Sequence, residues 1–535
     1  MTHEHSTTSG VARGRPALQA VGDQPRILII GAGMSGILMA IKLTESGYTR
    51  ICIYEKADRP GGAWRDNTYP GLKCDVPAPM FTYSFEPNPE YSTRFPLGAE
   101  IRSYLGRVYD KYGVGKFVRF NKAVESVNYE HGRWFVQTAE GETEMFDVVI
   151  FATGILHQPR FPDIQGMEAF RGVSFHTARW NHAIDLTDKS IGVIGTGATA
   201  VQVVPELLRI AKKVTLFQRT PQWIFPMPNK TYSPAERERM RQSPNLVRRL
   251  RQRYSTVFRH TFTRAVVGNR LLLWAIEALC KRHLKRKVKD PELRRKMTPT
   301  FRAGCKRLIF DKGFYQSLQQ PKAVVETSAI ARIEPAGVRS SDGTLHALDV
   351  IIYATGYHAH NYMRPIKVIG RDRKSIDTTW KDGAYAHRST SVPGFPNLFM
   401  VFGPYSPIGN YSAISVAEVQ VEFILQQLRL LRDTGYDLIE PDATVTERLT
   451  EQMDRAMKRT VWTSGCASWY TNDSGRTPMW PWNFERYERE MARIRPCEFH
   501  LTMRPQPSET SYVVTFLSRA TAPGIESNAP RDPTS

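Results

Sequence analysis

Two glycine-rich turns hold the residues whose types and spacing most plainly imply chemistry. In RILIIGAGMSGILMAIKLTESGY, residues 26–48, a β-branched apolar run leads into Gly31, Gly33 and Gly36, and helical apolar spacing follows. That pattern is strand, turn, helix. The first glycine permits the tight turn, the second lets the backbone approach a pyrophosphate, and the third lets helix and strand pack closely. The helix N-terminus, with Ser35 in its first turn, offers free N–H groups to phosphate oxygens. The next strand, TRICIYE, ends at Glu55, nineteen residues after Gly36, where a ribose-binding carboxylate belongs. Such a carboxylate accepts from a 2′-OH and repels a 2′-phosphate, so this site suits FAD or NAD rather than NADP.

The second turn repeats the grammar with one change. KSIGVIGTGATAVQVVPELL places Gly195, Thr196, Gly197, Ala198, Thr199 and Ala200 after a strand, with Gln202 on the helix that follows. The succeeding strand, KKVTLFQRT, ends at Arg219 and Thr220, and Arg219 lies nineteen residues beyond Ala200. Where the first site has an acid, this one has a base. A guanidinium pairs bidentately with phosphate, so the second site prefers NADPH to NADH. Two dinucleotide sites of opposite ribose preference imply electron transfer between a flavin and a nicotinamide. Disulfide reductases need a cysteine pair near the flavin, whereas Cys52 and Cys74 are twenty-two residues apart. The electrons are therefore expected to go to oxygen.

The elements that must position these turns fit a chain of 535 residues, long enough for about three domains. Apolar residues at 41% and charged residues at 23% exclude a disordered or fibrous chain as a whole. Six scattered cysteines without a CxxC pair read as reduced thiols in a cytosol, with no metal centre. No segment approaches the ~20 apolar residues of a membrane span, since LLLWAIEALC, residues 271–280, is half that length and contains Glu277. The N-terminus lacks the apolar core of a secretory signal, so the expected location is cytoplasmic. The net charge of +21 is uneven: residues 231–300 hold 19 Lys/Arg against 5 Asp/Glu, or +14. A solvated helical insertion accounts for this block. Nucleic acid is disfavoured by the lack of interleaved aromatics, which leaves peripheral contact with an anionic membrane surface as the partner reading.

Between the two turns lies FRGVSFHTARW, residues 170–180, which fits FxGxxxHxxxW through Phe170, Gly172, His176 and Trp180. This resembles the fingerprint of type I Baeyer-Villiger monooxygenases, with Asn181 standing where that family generally has Pro or Asp. PGGAWRDNTYPGLKCDVP, residues 60–77, is similar to the family's flavin-site segment. The resemblance puts Gly61, Gly62 and Ala63 in the flavin loop, Trp64 against the flavin and Asp75 at the active-site carboxylate. GCKRLIFDKGFY, residues 304–315, is similar to the segment of the catalytic arginine, which falls on Arg307, with Lys306 as a second contact to the NADP phosphate. DVVIFATG and DVIIYATG, ending at Gly154 and Gly356, resemble the crossover elements, and SWY, residues 468–470, the mobile substrate loop with Trp469 and Tyr470.

The resemblance implies that NADPH reduces FAD, that O₂ adds to give a C4a-peroxyflavin, and that the peroxide attacks a ketone to yield an ester or lactone. Charge then develops at the peroxide and at the carbonyl oxygen, which calls for a cation unable to act as an acid; Arg307 meets that need, oriented by Asp75. His176 is expected to set domain geometry rather than act as a base. A heteroatom-oxygenating flavin monooxygenase stays open as an alternative, and a flavin-loaded binding module acting through its basic surface as a remote one.

The expected fold is α/β, with two Rossmann-like dinucleotide-binding domains and a helical insertion. FAD segments are expected at 25–156 and 388–505, NADP segments at 157–230 and 306–387, and the basic insertion at 231–305. Residues 1–24 and 506–535 read as disordered tails.

Overall fold

The computed structural model describes residues 24–505 apart from 410, 467 and 473; both expected tails fall almost wholly outside these residues. Ile27–Ile30, Ile51–Tyr54 and Val148–Phe151 are short apolar runs rich in β-branched residues, buried along their whole length. Such runs form strands covered on both faces, which is the condition of a parallel sheet. They join Leu398–Met400 and Val118–Arg119 in a five-stranded sheet. Its pairings are parallel, with Ile27 opposite both Ile51 and Val148. Helix Met34–Glu45 packs on one face beside helix Ala413–Thr434.

A second five-stranded sheet repeats the plan, in the order Ala323–Glu326, Lys213–Phe217, Ser190–Ile194, Val350–Tyr353 and Val173–His176, again all parallel. In each sheet the chain leaves the strand before the glycine-rich turn toward one side and later returns on the other. That reversal opens a crevice at the carboxyl ends of the strands, where α/β folds bind ligands. The turns are built alike. Gly31 has φ +105° and Gly195 φ +114°, and a Cβ would fall 2.9 Å from the Ala152 carbonyl oxygen at the first and 2.4 Å from that of Ala354 at the second. The two ATG segments thus wall the two turns, which is why the motif occurs twice.

Residues 231–305 are helical, as their spacing suggests: Pro234–Gln242, Pro244–Phe258, a π-turn at Arg259–Thr263, then Arg270–Lys287 and Pro291–Lys296. Ser233, Asn269 and Asp290 cap their helices by accepting backbone N–H bonds.

One boundary differs from the expectation. Strand Lys367–Ile369 pairs in parallel with Val124–Glu130, and Tyr362, Met363 and Trp380 pack in one core with Leu28 and Tyr54. The chain therefore returns to the first body just after Gly356, not at residue 388. The ATG crossover marks the return, and the apolar residues beyond it, Ile366 and Val368 among them, pack with Ile30, Val149 and Phe151 of the first sheet.

Candidate active site between two chambers

Between the carboxyl ends of the two sheets runs a cleft of about 530 Å³. Gly31, Gly33 and Ser35 line it from the first turn, Glu55 from the next strand end, and Gly62, Ala63 and Trp64 from the following loop. Gly62 has φ +54°, and a Cβ on it would lie 3.0 Å from Gly33 Cα, so two bare backbones form the floor. Gly36 does not face the cleft; its Cβ would fall 1.9 Å from the Gly31 carbonyl oxygen, so it serves helix–strand contact. The Glu55 carboxylate is 4% exposed and accepts from Ala32 N at 2.8 Å, Ala57 N at 3.0 Å and Arg65 Nη1 at 3.0 Å. A carboxylate has about four acceptor positions, which leaves room for a ribose hydroxyl. The bare floor and the terminal acid fit the ADP half of FAD.

Across the cleft, Ala198, Thr199 and Gln202 line the opposite wall. A Cβ on Gly197 would meet nothing within 4 Å, which is the open approach a pyrophosphate needs. Ala200 is buried in the second core and packs its helix on the sheet. Gln202 is already committed: its amide oxygen accepts from Tyr69 Oη at 3.0 Å, and its nitrogen donates to the Lys73 carbonyl at 2.9 Å, bonding one nucleotide body to the other. Thr196 Oγ1 donates to the Thr220 carbonyl at 2.7 Å, and Lys306 Nζ to Thr220 Oγ1 at 2.7 Å. Burial and then the nearby Arg219 push the Lys306 pKa below the usual lysine range. Neither cation pairs with a carboxylate among the described residues, so their combined charge suits a phosphate.

Arg307 and Asp75 meet across 232 residues of sequence. Nη2 donates to Asp75 Oδ1 at 2.8 Å, and Nε donates to Oδ2 in the second arm of the fork. Burial opposes the guanidinium charge, but Asp75 outweighs it and the pKa is raised, so the group stays charged. Its side chain remains 32% accessible. The pair forms a shared wall: Asp75, Val76, Arg307 and Tyr411 border both the cofactor cleft and a second, smaller cavity of about 70 Å³. That cavity is apolar, closed by Phe258, Phe262, Leu273 and Ile276 from the helical insertion and by Phe310 and Tyr470. Trp469 faces the cleft and Tyr470 the cavity, their rings 4.2 Å apart. Burial pushes the Tyr470 phenol up, partly offset by Arg307.

The fingerprint ladder lies outside both chambers. A Cβ on Gly172 would fall 2.4 Å from the Asp349 carbonyl oxygen and 2.5 Å from the Phe170 ring, so Phe170 and Gly172 lock together. His176 is buried, its Nδ1 accepting from Ala178 N at 3.0 Å and its ring edge-on to Phe161 and Tyr357 at 5.4 and 6.0 Å. Burial lowers its pKa to about 4. Trp180 packs edge-on to Phe175 at 5.1 Å.

Sequence reasoning missed Lys73 and Asp311, a largely buried pair at 2.7 Å that joins the Asp75 segment to the Arg307 segment. Both lie inside quoted motifs, and their nearness to Asp75 and Arg307 was the available signal. The expectation of six reduced thiols is also corrected: Cys305 and Cys466 form a disulfide, while Cys52, Cys74, Cys280 and Cys497 are free. Separated by 161 residues, the pair had no local spacing to betray it.

Residues 24–369 match the family described as flavin-binding monooxygenase-like. An uncharacterized monooxygenase of Mycobacterium bovis is 43% identical over 91% of this chain and 99% of its own length. A Baeyer-Villiger monooxygenase of Streptomyces coelicolor is 36% identical over 92% of this chain and 95% of its own. Among solved structures, OTEMO in complex with FAD and NADP has a TM-score of 0.82 at 26% identity, covering 90% of this chain and 100% of that one. Cyclohexanone monooxygenase from Rhodococcus bound to NADP+ has a TM-score of 0.81 at 26% identity, covering 90% and 99%. Matched in sequence along nine-tenths of its length and in fold to complexes holding both nucleotides, the chain belongs to the flavin-binding monooxygenase-like family, as an FAD- and NADPH-dependent Baeyer-Villiger monooxygenase.

Proposed function

We propose that Arg307, held by Asp75, is the cation toward which charge develops when one oxygen atom is inserted beside a ketone carbonyl. FAD reduced by NADPH supplies the activated oxygen. The chain supplies the geometry and the field. The observation that carries this reading is the shared wall: the Arg307–Asp75 pair borders both the cleft that suits the flavin and the apolar cavity that suits an uncharged ketone. A guanidinium cannot protonate a developing oxyanion, and a fixed partner keeps it aimed without reorganisation. Arg307→Ala is expected to lower the rate of ester or lactone formation by roughly 10²–10³, while anaerobic flavin reduction by NADPH persists. Unchanged ketone conversion would remove Arg307 from the oxygenation step. Oxidation of sulfides or amines with no ketone product would move the enzyme to heteroatom oxygenation.

The nucleotide contacts follow the same reading. Gly31, Gly33, Ser35, Glu55, Gly62, Ala63 and Trp64 hold FAD; Thr196, Gly197, Ala198, Thr199, Arg219, Thr220 and Lys306 hold NADPH. Phe170, Gly172, His176 and Trp180 set the second body against the first.

No helix among the described residues is long and apolar enough to cross a membrane. We propose a cytoplasmic enzyme that seats helix Arg270–Lys287 on an anionic membrane surface. Leu271 is 80% exposed and Trp274 67%, and helical spacing continues their face through Ala278 to Arg282 and Lys285. Apolar side chains at one end and cations at the other are what an interfacial helix presents. Co-sedimentation with phosphatidylglycerol vesicles is the check. Binding is expected to fall with salt and with Leu271→Ala/Trp274→Ala, and equal binding to phosphatidylcholine alone would refute the proposal.

A further inference from the structure

Cys305 immediately precedes Lys306 and Arg307, and Cys466 stands three residues before Trp469 and four before Tyr470. The disulfide between them, with Cα atoms 6.3 Å apart, thus ties the arginine's own segment to the aromatic pair that walls both chambers. Near that pair the hydrogen bonds Tyr470 N to Ser468 Oγ at 3.2 Å and Thr471 N to Ser468 O at 3.1 Å are local. They shape the turn. Packing holds it in place: Tyr470 lies 5.7 Å from Trp462, and a Cβ on Gly409 would come within 3.1 Å of both rings. The bridge is a covalent tie between this turn and the segment bearing Arg307.

We propose that Cys305–Cys466 is a thiol–disulfide exchange site whose ligand is a dithiol reductant, and that its redox state sets how firmly Trp469 and Tyr470 are held over Arg307. Cys305 is fully buried and Cys466 only partly so, which directs attack to the Cys466 sulfur. A thiolate of the dithiol bonds to Cys466 Sγ and the S–S bond breaks. Its electron pair goes to Cys305 Sγ, which takes a proton. The second thiol of the reductant then displaces Cys466 Sγ, which is protonated in turn. The reductant leaves as a disulfide, and two electrons and two protons have passed to the protein. Hydrogen peroxide reverses the change, oxidising two thiols to the disulfide while it is reduced to two waters. A disulfide in a cytoplasmic enzyme is characteristically of this exchangeable kind.

The kinetic part of this inference rests on the reading of Arg307; the exchange chemistry does not. The holoenzyme is denatured and alkylated without reductant, then again after dithiothreitol, and weighed intact. Four labels followed by six are expected, since four of the six cysteines are free. Reduction of the native holoenzyme is expected to speed hydrogen exchange in the peptide bearing Trp469 and Tyr470. It should also raise KM about tenfold for the best ketone of a cyclic, aryl and long-chain panel, with anaerobic flavin reduction by NADPH unchanged. Cys466→Ser should reproduce the reduced state and ignore dithiothreitol, whereas Cys497→Ser keeps the response. Should Cys466→Ser fail to fold, the treated native enzyme decides alone. Six labels without reductant, or reduction that moves neither exchange nor KM, overturns the inference. Faster exchange in an enzyme that converts no ketone in either state would uphold the exchange site and reject the reading of Arg307.

Discussion

Arg219 and Lys306 illustrate how single residues carry nucleotide choice. Arg219 raises the cost of the Lys306 charge, and a 2′-phosphate bound beside them would relieve it. A lysine is charged below its pKa, and that of Lys306 is depressed, so its charge is lost earlier as pH rises than for an ordinary lysine. Phosphate binding favours the charged form. KM for NADPH is therefore expected to climb with pH at values where a solvent-exposed lysine is still protonated, while KM for NADH stays flat. Arg219→Ala should cut the NADPH-over-NADH preference roughly tenfold or more, the scale of one lost charge-assisted contact. Steady-state kinetics with both nucleotides across a pH series checks each part, and an unchanged preference would mean that Arg219 is only a solvated strand end.

At the scale of the element, the ladder is a strand, Val173–His176, running into a single 3₁₀ turn, Thr177–Arg179. His176 caps that turn as a neutral acceptor, and its neutrality has a cost at low pH. With a pKa of about 4 when folded against 6.5 when unfolded, it favours the unfolded chain between those values. Its contribution is full above pH 6.5 and is lost as pH falls toward 4, by up to about 3 kcal/mol. Thermal melts across this window are expected to show a shallower acid loss for His176→Gln than for the native chain. Identical slopes would place the acid sensitivity elsewhere, for instance in the buried Glu498 carboxylate that His387 and Arg388 share.

For the whole molecule, what could be read in the sequence was what is written locally. The nucleotide turns declare themselves because glycine spacing, strand and helix are contiguous, and so do the insertion's helices through their periodicity. The Arg307–Asp75 fork spans 232 residues and was readable only through family resemblance. Periodicity marked residues 231–305 as helical, but did not tell that Leu273 and Ile276 of helix Arg270–Lys287 close a cavity ending at Arg307. The disulfide was invisible because pairing depends on Cα separation, here 6.3 Å, which residue numbers do not encode. The domain boundary was misplaced because Tyr362 and Trp380 choose their body by packing. The same interleaving governs how the chain is made. Val148–Phe151 must wait for its outer neighbour, Leu398–Met400, so an all-apolar strand edge stands unpaired while about 250 residues are added. At about 5–20 residues per second, that is roughly 10–50 s on the ribosome with a sticky edge to be shielded, a burden on the cell's chaperones built into the order of the strands.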